Sequence, residues 1–369
     1  MVRRALLKWY RAHKRDLPWR RSKDPYAVWI SEIMLQQTRV DTVRPYYERF
    51  MERWPDVRAL AAEDPDNVRA AWSGLGYYRR ARMMLEAASV LVEQHDGAFP
   101  SEAAELRKLP GFGRYTAGAV ASIAFDRPAA AVDGNVTRVL ARLHGIEGDV
   151  SKGPGAKQVW SLADALAPGE SPGDLTQALI ELGALVCASR NPRCESCPVS
   201  AQCAARSTGR IEQIPPPKKR AAKKLLPLTA LIAVRDGALL LARQPESGLF
   251  ANLWCPPLLD GQLSPEAAMD EAARALGFEI SGAEPAGQIR HLLTHRQLDI
   301  NILRIEAPAD IKSHRWAKLA ELKDWAIPSV TAKCLRAGLT QRERAQTQLI
   351  ERSTAASRIK TAGQGELPL

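Results

Sequence analysis

Four cysteines that fall within seventeen residues are the side chains of this chain best suited to binding a metal. They are Cys187, Cys194, Cys197 and Cys203, in the pattern C-x6-C-x2-C-x5-C. Four thiolates on so short a loop can close one soft-metal site, either tetrahedral zinc or an iron–sulfur cluster.

A pair of disulfides and a set of unrelated reduced cysteines are the two alternatives to a metal site. Disulfides need an oxidising compartment, and the first residues, Met1 to Trp9, contain no apolar segment of a secretion signal. Isolated reduced cysteines already occur elsewhere in the chain, as Cys255 and Cys334. The clustering therefore favours a metal or cluster site.

Glu32 is the only charged residue between Pro25 and Thr38 and is a candidate for acid catalysis. Wound as a helix, this segment is apolar nearly all round, so the carboxyl would be buried. Burial raises the pKa of a carboxyl, which can then hold a proton near neutral pH as a general acid must. A structural ion pair with an arginine is the alternative, and the segment alone does not decide between them.

Asp133 follows the apolar run Ala129 to Val132 and precedes a predicted helix that begins with Gly134 and Asn135. Its position is ideal for an N-cap, the commoner role of such an aspartate. Backbone N–H groups would also hold its carboxylate ionised, facing a cationic transition state. The two roles are compatible.

Two glycine-containing turns predict contacts with nucleic acid. Leu109-Pro110-Gly111-Phe112-Gly113 leads directly into a helix, which is the helix–hairpin–helix signature, and its outward N–H groups can bind a phosphate. Gly74-Leu75-Gly76-Tyr77-Tyr78 places two aromatic rings before a basic helix, which suits insertion into a base stack. An ordinary helix connection and a packed tyrosine pair are the alternatives.

The composition is that of an intracellular protein with an anionic partner. The 369 residues suffice for two domains, and 46% of them are hydrophobic. No run approaches the ~20 apolar residues of a membrane span, so we expect a soluble protein with no membrane partner. The formal charge of +11 and the pI near 9.5 favour nucleic acid.

The spacing of apolar residues predicts two domains. Residues 1–205 are predicted to be helical, with the hairpin at about 106–120 and the cysteine loop at 187–203. Residues 206–226 form a basic linker, because seven Lys or Arg occur against one Glu between Arg206 and Lys224. Residues 227–340 predict an α+β domain, with a hairpin turn at Asp236-Gly237. Residues 341–369 predict a partly helical tail.

These segments, in this order, resemble the helix–hairpin–helix DNA glycosylase superfamily. The stretch Trp29 to Thr38 is similar to adenine DNA glycosylases of the MutY type, and the resemblance covers residues 1 to about 340. It implies a multi-domain fold, an all-α helix–hairpin–helix glycosylase core with an iron–sulfur cluster loop plus an α+β Nudix-like C-terminal domain.

The resemblance also implies a reaction, the excision of adenine opposite 8-oxoguanine or guanine in duplex DNA. Glu32 would protonate adenine at N7, and Asp133 would stabilise the oxocarbenium-like sugar or bond to it. Tyr115 and Asn135 match supporting positions. The remaining implied residues are Gln37 and Tyr77 in the base stack, Thr38 and Leu75 beside the lesion, Gly111 and Gly113 on the DNA backbone, Trp19, Arg20 and Gln177 in the adenine pocket, and the four cysteines on a [4Fe–4S] cluster.

Tyr115 distinguishes two activities within the superfamily. Related enzymes of the endonuclease III type cut the DNA backbone and carry a lysine at this position, six residues after the Leu of L-P-G-x-G, where it forms a Schiff base. Tyrosine lacks the amine, so we expect a monofunctional glycosylase with little or no lyase activity. The rival hypotheses are a thymine-glycol or abasic-site endonuclease and a non-catalytic iron–sulfur DNA sensor.

The C-terminal domain resembles the Nudix-like domain of the same family, most clearly over Gly248 to Trp254. Residues 266–277 lack the metal-binding R-E-x-x-E-E box, so we expect no pyrophosphatase activity. The lesion-reading loop of the family matches Leu293-Thr294-His295, but its usual form is Phe-Ser-His. The resemblance implies that Thr294 and His295 hydrogen-bond to the lesion, whereas Leu293 lacks the aromatic ring that would stack on it. A histidine beside a strand, without a ligand, is the alternative.

The last six residues, Gln364 to Leu369, resemble the peptide with which bacterial proteins bind the sliding clamp. A terminus without a partner is the alternative. We expect a monomer in the bacterial cytoplasm, associated with the nucleoid.

Overall fold

A computed structural model describes residues 1–217, 222–309, 311 and 314–347 of the chain. Within these residues the chain divides into two compact units. The helical unit comprises residues 1–62 and 83–217, and the mixed unit comprises residues 63–82 and those from 222 onward. Segment 63–82 therefore groups with the later residues, although it lies inside the range predicted for the helical domain. None of the described helices has the length and apolar character needed to span a membrane.

Among the described residues, 1–217 contain helices and no strand, as predicted for the glycosylase core. The α-helices are α1 Val2–His13, α2 Pro25–Leu35, α3 Val40–Arg53, α4 Val57–Ala61, α5 Pro65–Ala71, α6 Arg79–His95, α7 Ala103–Leu106, α8 Arg114–Phe125, α9 Gly134–His144, α10 Gly153–Leu166, α11 Pro172–Leu185 and α12 Ala204–Ser207. Short 3-10 helices lie at Pro18–Arg20, Cys194–Ser196 and Ser200–Gln202.

Helix α2 is buried on all sides, as its sequence predicts. Asp24 caps it by accepting the N–H of Tyr26, and Pro25 occupies the first helical position. Every residue from Tyr26 to Met34 is buried, Glu32 among them. The helix packs against α3, α8 and the 3-10 helix at Pro18–Arg20, which places Glu32 among neighbours from distant parts of the sequence.

Helix α11 organises the core of the helical unit. It packs against α1, α8 and α9 through Leu175, Leu179 and Leu182, which recur at helical spacing. Burying three apolar side chains of this size contributes about 1.5–3 kcal/mol each. The same core reaches Val199 and Ala205 beside the cysteine loop.

The mixed unit contains two four-stranded sheets. The strands are β1 Lys224–Ile232, β2 Val234–Arg235, β3 Ala238–Arg243, β4 Trp254–Cys255, β5 Leu258–Asp260, β6 Gly282–Leu292, β7 Arg296–Glu306 and β8 His314–Lys318. One sheet has the order β5-β1-β7-β6; the other has the order β2-β3-β4, with β8 pairing β3. The β2–β3 pair turns at Asp236-Gly237, which confirms the predicted hairpin. Strand β1 begins inside the predicted linker.

Alternation along β7 sends its side chains to two cores. Leu298, Ile300 and Ile302 face a core that includes Val330 and Leu335 of α14 (Ser329–Gly338). Leu303 and Ile305 face a second core, which includes Ala268 and Ala272 of α13 (Pro265–Leu276). Helices therefore cover both faces of this sheet, as in the predicted α+β domain.

The ends of α13 were predicted from the sequence, whereas the capping box that begins α15 was not. Ser264 caps α13 and Gly277 ends it with a φ of 74°, as predicted. The short helix α15 (Gln341–Ala345) lies in the predicted tail, where the capping box of Thr340 and Glu343 was overlooked. The proposed clamp peptide, Gln364 to Leu369, lies outside the described residues.

Candidate active site

Glu32 and Tyr115 form the centre of the candidate site in the helical unit. The Tyr115 hydroxyl donates a hydrogen bond of 2.6 Å to Oε2 of Glu32, which is only 7% exposed. Burial raises the pKa of Glu32 to about 7; the negative charge of Asp133 adds to this, while Tyr115 and the positive charge of Arg20 oppose it. Glu32 can therefore carry a proton at neutral pH, as predicted for a general acid.

Asp133 is held by donors at the start of α9. Its Oδ1 accepts the N–H of Val136 at 2.7 Å, and its Oδ2 accepts the side-chain amide of Asn135 at 2.9 Å. Burial raises the pKa of Asp133, but these two donors act in the opposite direction by stabilising the charged form. The predicted N-cap is present, and the carboxylate also lies within electrostatic reach of Glu32.

Two glycines allow the backbone to bring this carboxylate into place. A Cβ on Gly118 of α8 would come within 1.9 Å of the carbonyl oxygen of Ala130, so glycine lets the segment before Asp133 lie directly on the helix. A Cβ on Gly183 of α11 would come within 2.5 Å of the Cβ of Asn135. The start of α9 is therefore confined between α8 and α11.

The helix–hairpin–helix turn has one buried aromatic residue and two exposed glycines. Phe112 is buried and stacks on Trp29 of α2, with ring centroids 5.4 Å apart. Gly111 has a φ of 76° and Gly113 caps α8, and both are exposed. The turn therefore presents glycine backbone at a helix N-terminus, where a phosphate can bind.

Gln37 and Thr38 follow α2 directly. Gln37 is exposed and has a φ of 57°, a left-handed conformation that is uncommon for a residue other than glycine. Thr38 is half-buried, and its hydroxyl donates to the carbonyl of Gln36 at 3.4 Å. Gln36 was not predicted to contribute, yet its side-chain amide donates to the Thr116 hydroxyl at 3.2 Å and ties this segment to α8.

The residues assigned to the adenine pocket come from two elements. Trp19 and Arg20 lie in the 3-10 helix at Pro18–Arg20, where Trp19 is buried against Tyr47 with ring centroids 5.3 Å apart. Gln177 is half-buried on α11. Glu181, one turn after Gln177, was missed although it is a lone acid between leucines, the signal that had identified Glu32.

Glu181 binds two arginines in the protein interior. Its carboxylate is fully buried and accepts hydrogen bonds from both Arg15 and Arg20. Burial alone would raise its pKa, but the two guanidinium groups lower the pKa to about 2. Glu181 is therefore ionised at neutral pH.

The cysteine loop lies against the core beside α9. Cys187, Cys197 and Cys203 are half-buried on this core, and Arg142 of α9 donates to Sγ of Cys187 at 3.5 Å. Burial raises the pKa of Cys194, and repulsion by Cys187 and Cys203 raises it further, so these thiols lie within electrostatic reach of one another. The guanidinium is suited to the negative charge of bound thiolates.

The donor set fits an iron–sulfur cluster in its chemistry. Among the described residues, no three or more His, Cys, Asp or Glu side chains are arranged to hold a metal ion. A [4Fe–4S] cluster is larger than one ion, and each cysteine thiolate binds a different iron. The four cysteine sulfurs that hold it therefore do not converge on one point. Four thiols on one half-buried loop meet that requirement.

Arginines of α9 connect the cysteine loop with the start of the helix. Arg138 donates to the Cys187 carbonyl at 2.7 Å and to Oδ1 of Asn135 at 2.9 Å. Asn135 in turn donates to Asp133. One helix therefore supports both the predicted cluster site and the carboxylate.

In the mixed unit, the side chains of Tyr77 and Thr294 are hydrogen-bonded to each other, although 217 positions separate them in the sequence. Their hydroxyl oxygens lie 2.5 Å apart. Tyr77 has a φ of 50°, its side chain is 43% exposed, and the guanidinium of Arg80 lies 5.5 Å from its ring centroid. Leu75, by contrast, is buried. The predicted wedge residue and the predicted lesion-reading turn are thus in direct contact.

The turn from Leu293 to His295 closes the β6–β7 hairpin. The N–H of Leu293 donates to the carbonyl of Arg296 at 2.9 Å, and Thr294 and His295 are exposed at the tip. Leu293 packs against the core beneath the sheet, whereas the side chain of Leu292 is 58% exposed. The leucine that replaces the usual aromatic is therefore not the apolar residue presented to solvent.

The helical unit thus holds a protonatable acid beside a carboxylate fixed by hydrogen bonds. Such a pair can protonate a leaving group and stabilise a positive charge left behind, which is the chemistry of glycosidic bond cleavage.

Two family models match the chain. The HhH-GPD superfamily of base excision DNA repair proteins matches residues 30–164, and the NUDIX domain matches residues 229–337. Adenine DNA glycosylase of Rattus norvegicus is 34% identical, with 90% of this chain and 77% of the relative covered. Adenine DNA glycosylase of Schizosaccharomyces pombe is 32% identical, with 97% of this chain and 95% of the relative covered. A solved thermostable thymine-DNA glycosylase is 31% identical with a TM-score of 0.52, covering 56% of this chain and 95% of its own.

Proposed function

This chain belongs to the adenine DNA glycosylase family, and on that premise we propose that it excises adenine opposite 8-oxoguanine or guanine in duplex DNA without cutting the backbone. The reaction breaks the N-glycosidic bond and leaves an abasic site. Glu32 acts on the leaving base, and Asp133 acts on the sugar.

Glu32 delivers a proton to N7 of the adenine. The bonding electrons then move onto the base, which leaves as neutral adenine, and the sugar becomes oxocarbenium-like. Asp133 faces this cation as a carboxylate, which Asn135 and the N–H of Val136 keep in place. Water then adds to the cationic carbon of the sugar and loses a proton, which can return to the Glu32 carboxylate, and the abasic sugar carries a hydroxyl where the base was.

The observation that carries this proposal is the environment of Glu32. A carboxyl with its pKa near 7 is half protonated at neutral pH, whereas one with an ordinary pKa of about 4.3 is almost fully ionised. The neighbouring Asp133 raises that pKa further, because two negative charges at short range repel each other. One carboxyl therefore keeps its proton while the other stays charged.

Tyr115 supports a monofunctional reaction. Its phenol is engaged with Glu32 and cannot form the Schiff base that strand cleavage by an amine requires. Substituting lysine there would supply the amine and remove a hydrogen bond from the acid.

We also propose that Cys187, Cys194, Cys197 and Cys203 hold a [4Fe–4S] cluster. Residues 187–203 would hold the cluster, and its bonds to the four cysteines would fix the conformation of this loop for contact with DNA. Arg142 would balance the thiolate charge through its contact with Cys187.

Recognition of 8-oxoguanine is proposed for the mixed unit. Thr294 and His295 are exposed at the tip of the β6–β7 hairpin and would offer hydrogen-bonding groups to the lesion. Tyr77 bonds to Thr294 and offers an exposed ring for insertion in the base stack.

A single assay tests the proposed function. Duplexes carrying a labelled adenine strand opposite 8-oxoguanine, guanine or thymine are incubated with the protein, with and without subsequent hot alkali. We expect alkali-dependent breaks at the adenine opposite 8-oxoguanine and guanine, and none opposite thymine. Breaks without alkali would contradict the monofunctional proposal, and the absence of breaks after alkali would contradict adenine excision.

A further inference from the structure

Glu181 is a fully buried acid that the proposed reaction does not use. Its Oε1 accepts the backbone N–H of Arg15 at 3.1 Å, Nε of Arg15 at 2.8 Å and Nη1 of Arg20 at 3.0 Å. Its Oε2 accepts Nη2 of Arg15 at 2.7 Å and Nη2 of Arg20 at 2.9 Å. Each guanidinium therefore donates two hydrogen bonds to Glu181, a geometry that fixes its orientation.

Arg20 lies where it can act on Glu32. The 3-10 helix at Pro18–Arg20 packs against α2, the Arg20 side chain is only 11% exposed, and its positive charge acts on Glu32. In the part of the chain that the structure describes, no ion pair joins the two; both terminal nitrogens of Arg20 bind Glu181 instead.

An arginine that paired directly with Glu32 would prevent it from acting as a general acid. An adjacent guanidinium stabilises a carboxylate and lowers its pKa by about 1–3 units, so Glu32 would lose its proton below neutral pH. Glu181, Arg15 and Arg20 together carry a net positive charge, since one carboxylate faces two guanidinium groups. The position of that charge relative to Glu32 therefore decides whether the acid stays protonated.

We propose that Glu181 is a positioning residue that binds Arg20 and keeps its guanidinium from pairing with the catalytic acid Glu32. Arg15 completes the arrangement by occupying the remaining acceptor positions of Glu181. This inference rests on the proposed role of Glu32 as the acid.

Few charged or titratable groups act on Glu32 from the elements around it. Tyr115 of α8 donates to it, Asp133 before α9 repels it, and Arg20 attracts it. Within the described residues, the hydrogen-bond partners of the Glu181 carboxylate are Arg15 and Arg20, and of these two Arg20 acts on Glu32. A change at Glu181 therefore reaches Glu32 through Arg20.

The test is the pH dependence of single-turnover excision by the full-length protein on an A:8-oxoguanine duplex. The rate requires protonated Glu32, so it falls as pH rises through the pKa of that group, near 7 in the wild type. Glu181→Gln keeps the shape of the side chain but removes its charge and one of the two oxygens that bind Arg20. Arg20 is then held less firmly, and the midpoint of this fall should move down by about 1–3 pH units.

Three further variants extend the test, and two of them, Arg20→Met and Glu181→Asp, do not depend on how well Glu181→Gln folds. Arg20→Met removes the cation, so the midpoint should rise above the wild-type value whatever the effect on rate. The double variant Glu181→Gln/Arg20→Met should lack the downward shift, because no guanidinium is left to pair with Glu32. Glu181→Asp keeps the charge and should restore a midpoint close to that of the wild type.

A matched control exists in the mixed unit. Glu343 accepts two hydrogen bonds from Arg304, and that pair is also partly buried. Glu343→Gln should lower thermal stability without moving the midpoint.

The outcomes separate the two hypotheses. If Glu32→Gln leaves the fall at high pH in place, Glu32 is not the acid and the proposed function of that residue fails. If that fall depends on Glu32 but Glu181→Gln lowers the rate equally at every pH, Glu181 is merely structural and this inference is wrong.

Discussion

Two carboxyl groups in the helical unit have different environments, and this difference is the basis of the proposed chemistry. Glu32 is buried and receives one hydrogen bond from a phenol, whereas Asp133 receives a backbone N–H and a side-chain amide. Donors that bind the charged form favour ionisation, and burial opposes it. Burial raises the pKa of both carboxyl groups, to about 7 for Glu32, and the donors to Asp133 oppose the rise there. The proposed chemistry places the proton on Glu32, so that it can protonate a base while a second carboxylate faces the sugar.

A single side chain on the β6–β7 hairpin is expected to tune substrate preference. His295→Ala should reduce the rate on A:8-oxoguanine more than the rate on A:G, because only the oxidised base offers the additional group that this exposed residue can bind. Single-turnover rates on the two duplexes measure the ratio. Leu292→Ala, which changes an exposed neighbour on the same hairpin, is the control and should leave the ratio unchanged. Equal losses on both duplexes in His295→Ala would mean that His295 is structural.

At the scale of elements, α9 is the support on which several functional features depend. Its N-terminus carries Asp133 and Asn135, and Arg138 and Arg142 bind the cysteine loop along its side. Close approach of α11 at Gly183 confines its first turn. Small movements of α9 would therefore change the position of the carboxylate.

Gly183→Ala tests this confinement. The new Cβ would lie 2.5 Å from the Cβ of Asn135, so α9 must shift, at a cost of about 1–3 kcal/mol in stability. We expect a lower melting temperature and a lower single-turnover excision rate. Gly134→Ala is the matched control for stability, since its Cβ meets nothing within 4 Å and alanine is the better helix former. A Gly183→Ala protein as stable as the wild type would refute the proposed confinement.

At the scale of the whole molecule, local patterns were predictable and long-range contacts were not. The burial of Glu32 could be predicted because the rest of its helix is nearly all apolar, and the N-cap at Asp133 because N-caps are local. The Arg15–Glu181 and Tyr77–Thr294 contacts join residues 166 and 217 positions apart, so no pattern of spacing predicts them. The capping box at Thr340 was local and was still overlooked, because the polar composition around it suggested a tail.

The assignment of adenine excision to Glu32 is tested most directly by Glu32→Gln. The amide keeps the size of the side chain but cannot deliver a proton, so the single-turnover rate on A:8-oxoguanine should fall by about 10²–10⁴-fold or more. Affinity for the same duplex, measured with excess protein before excision, should be retained because the residues proposed to read the lesion lie in the mixed unit. A rate near that of the wild type would contradict the account.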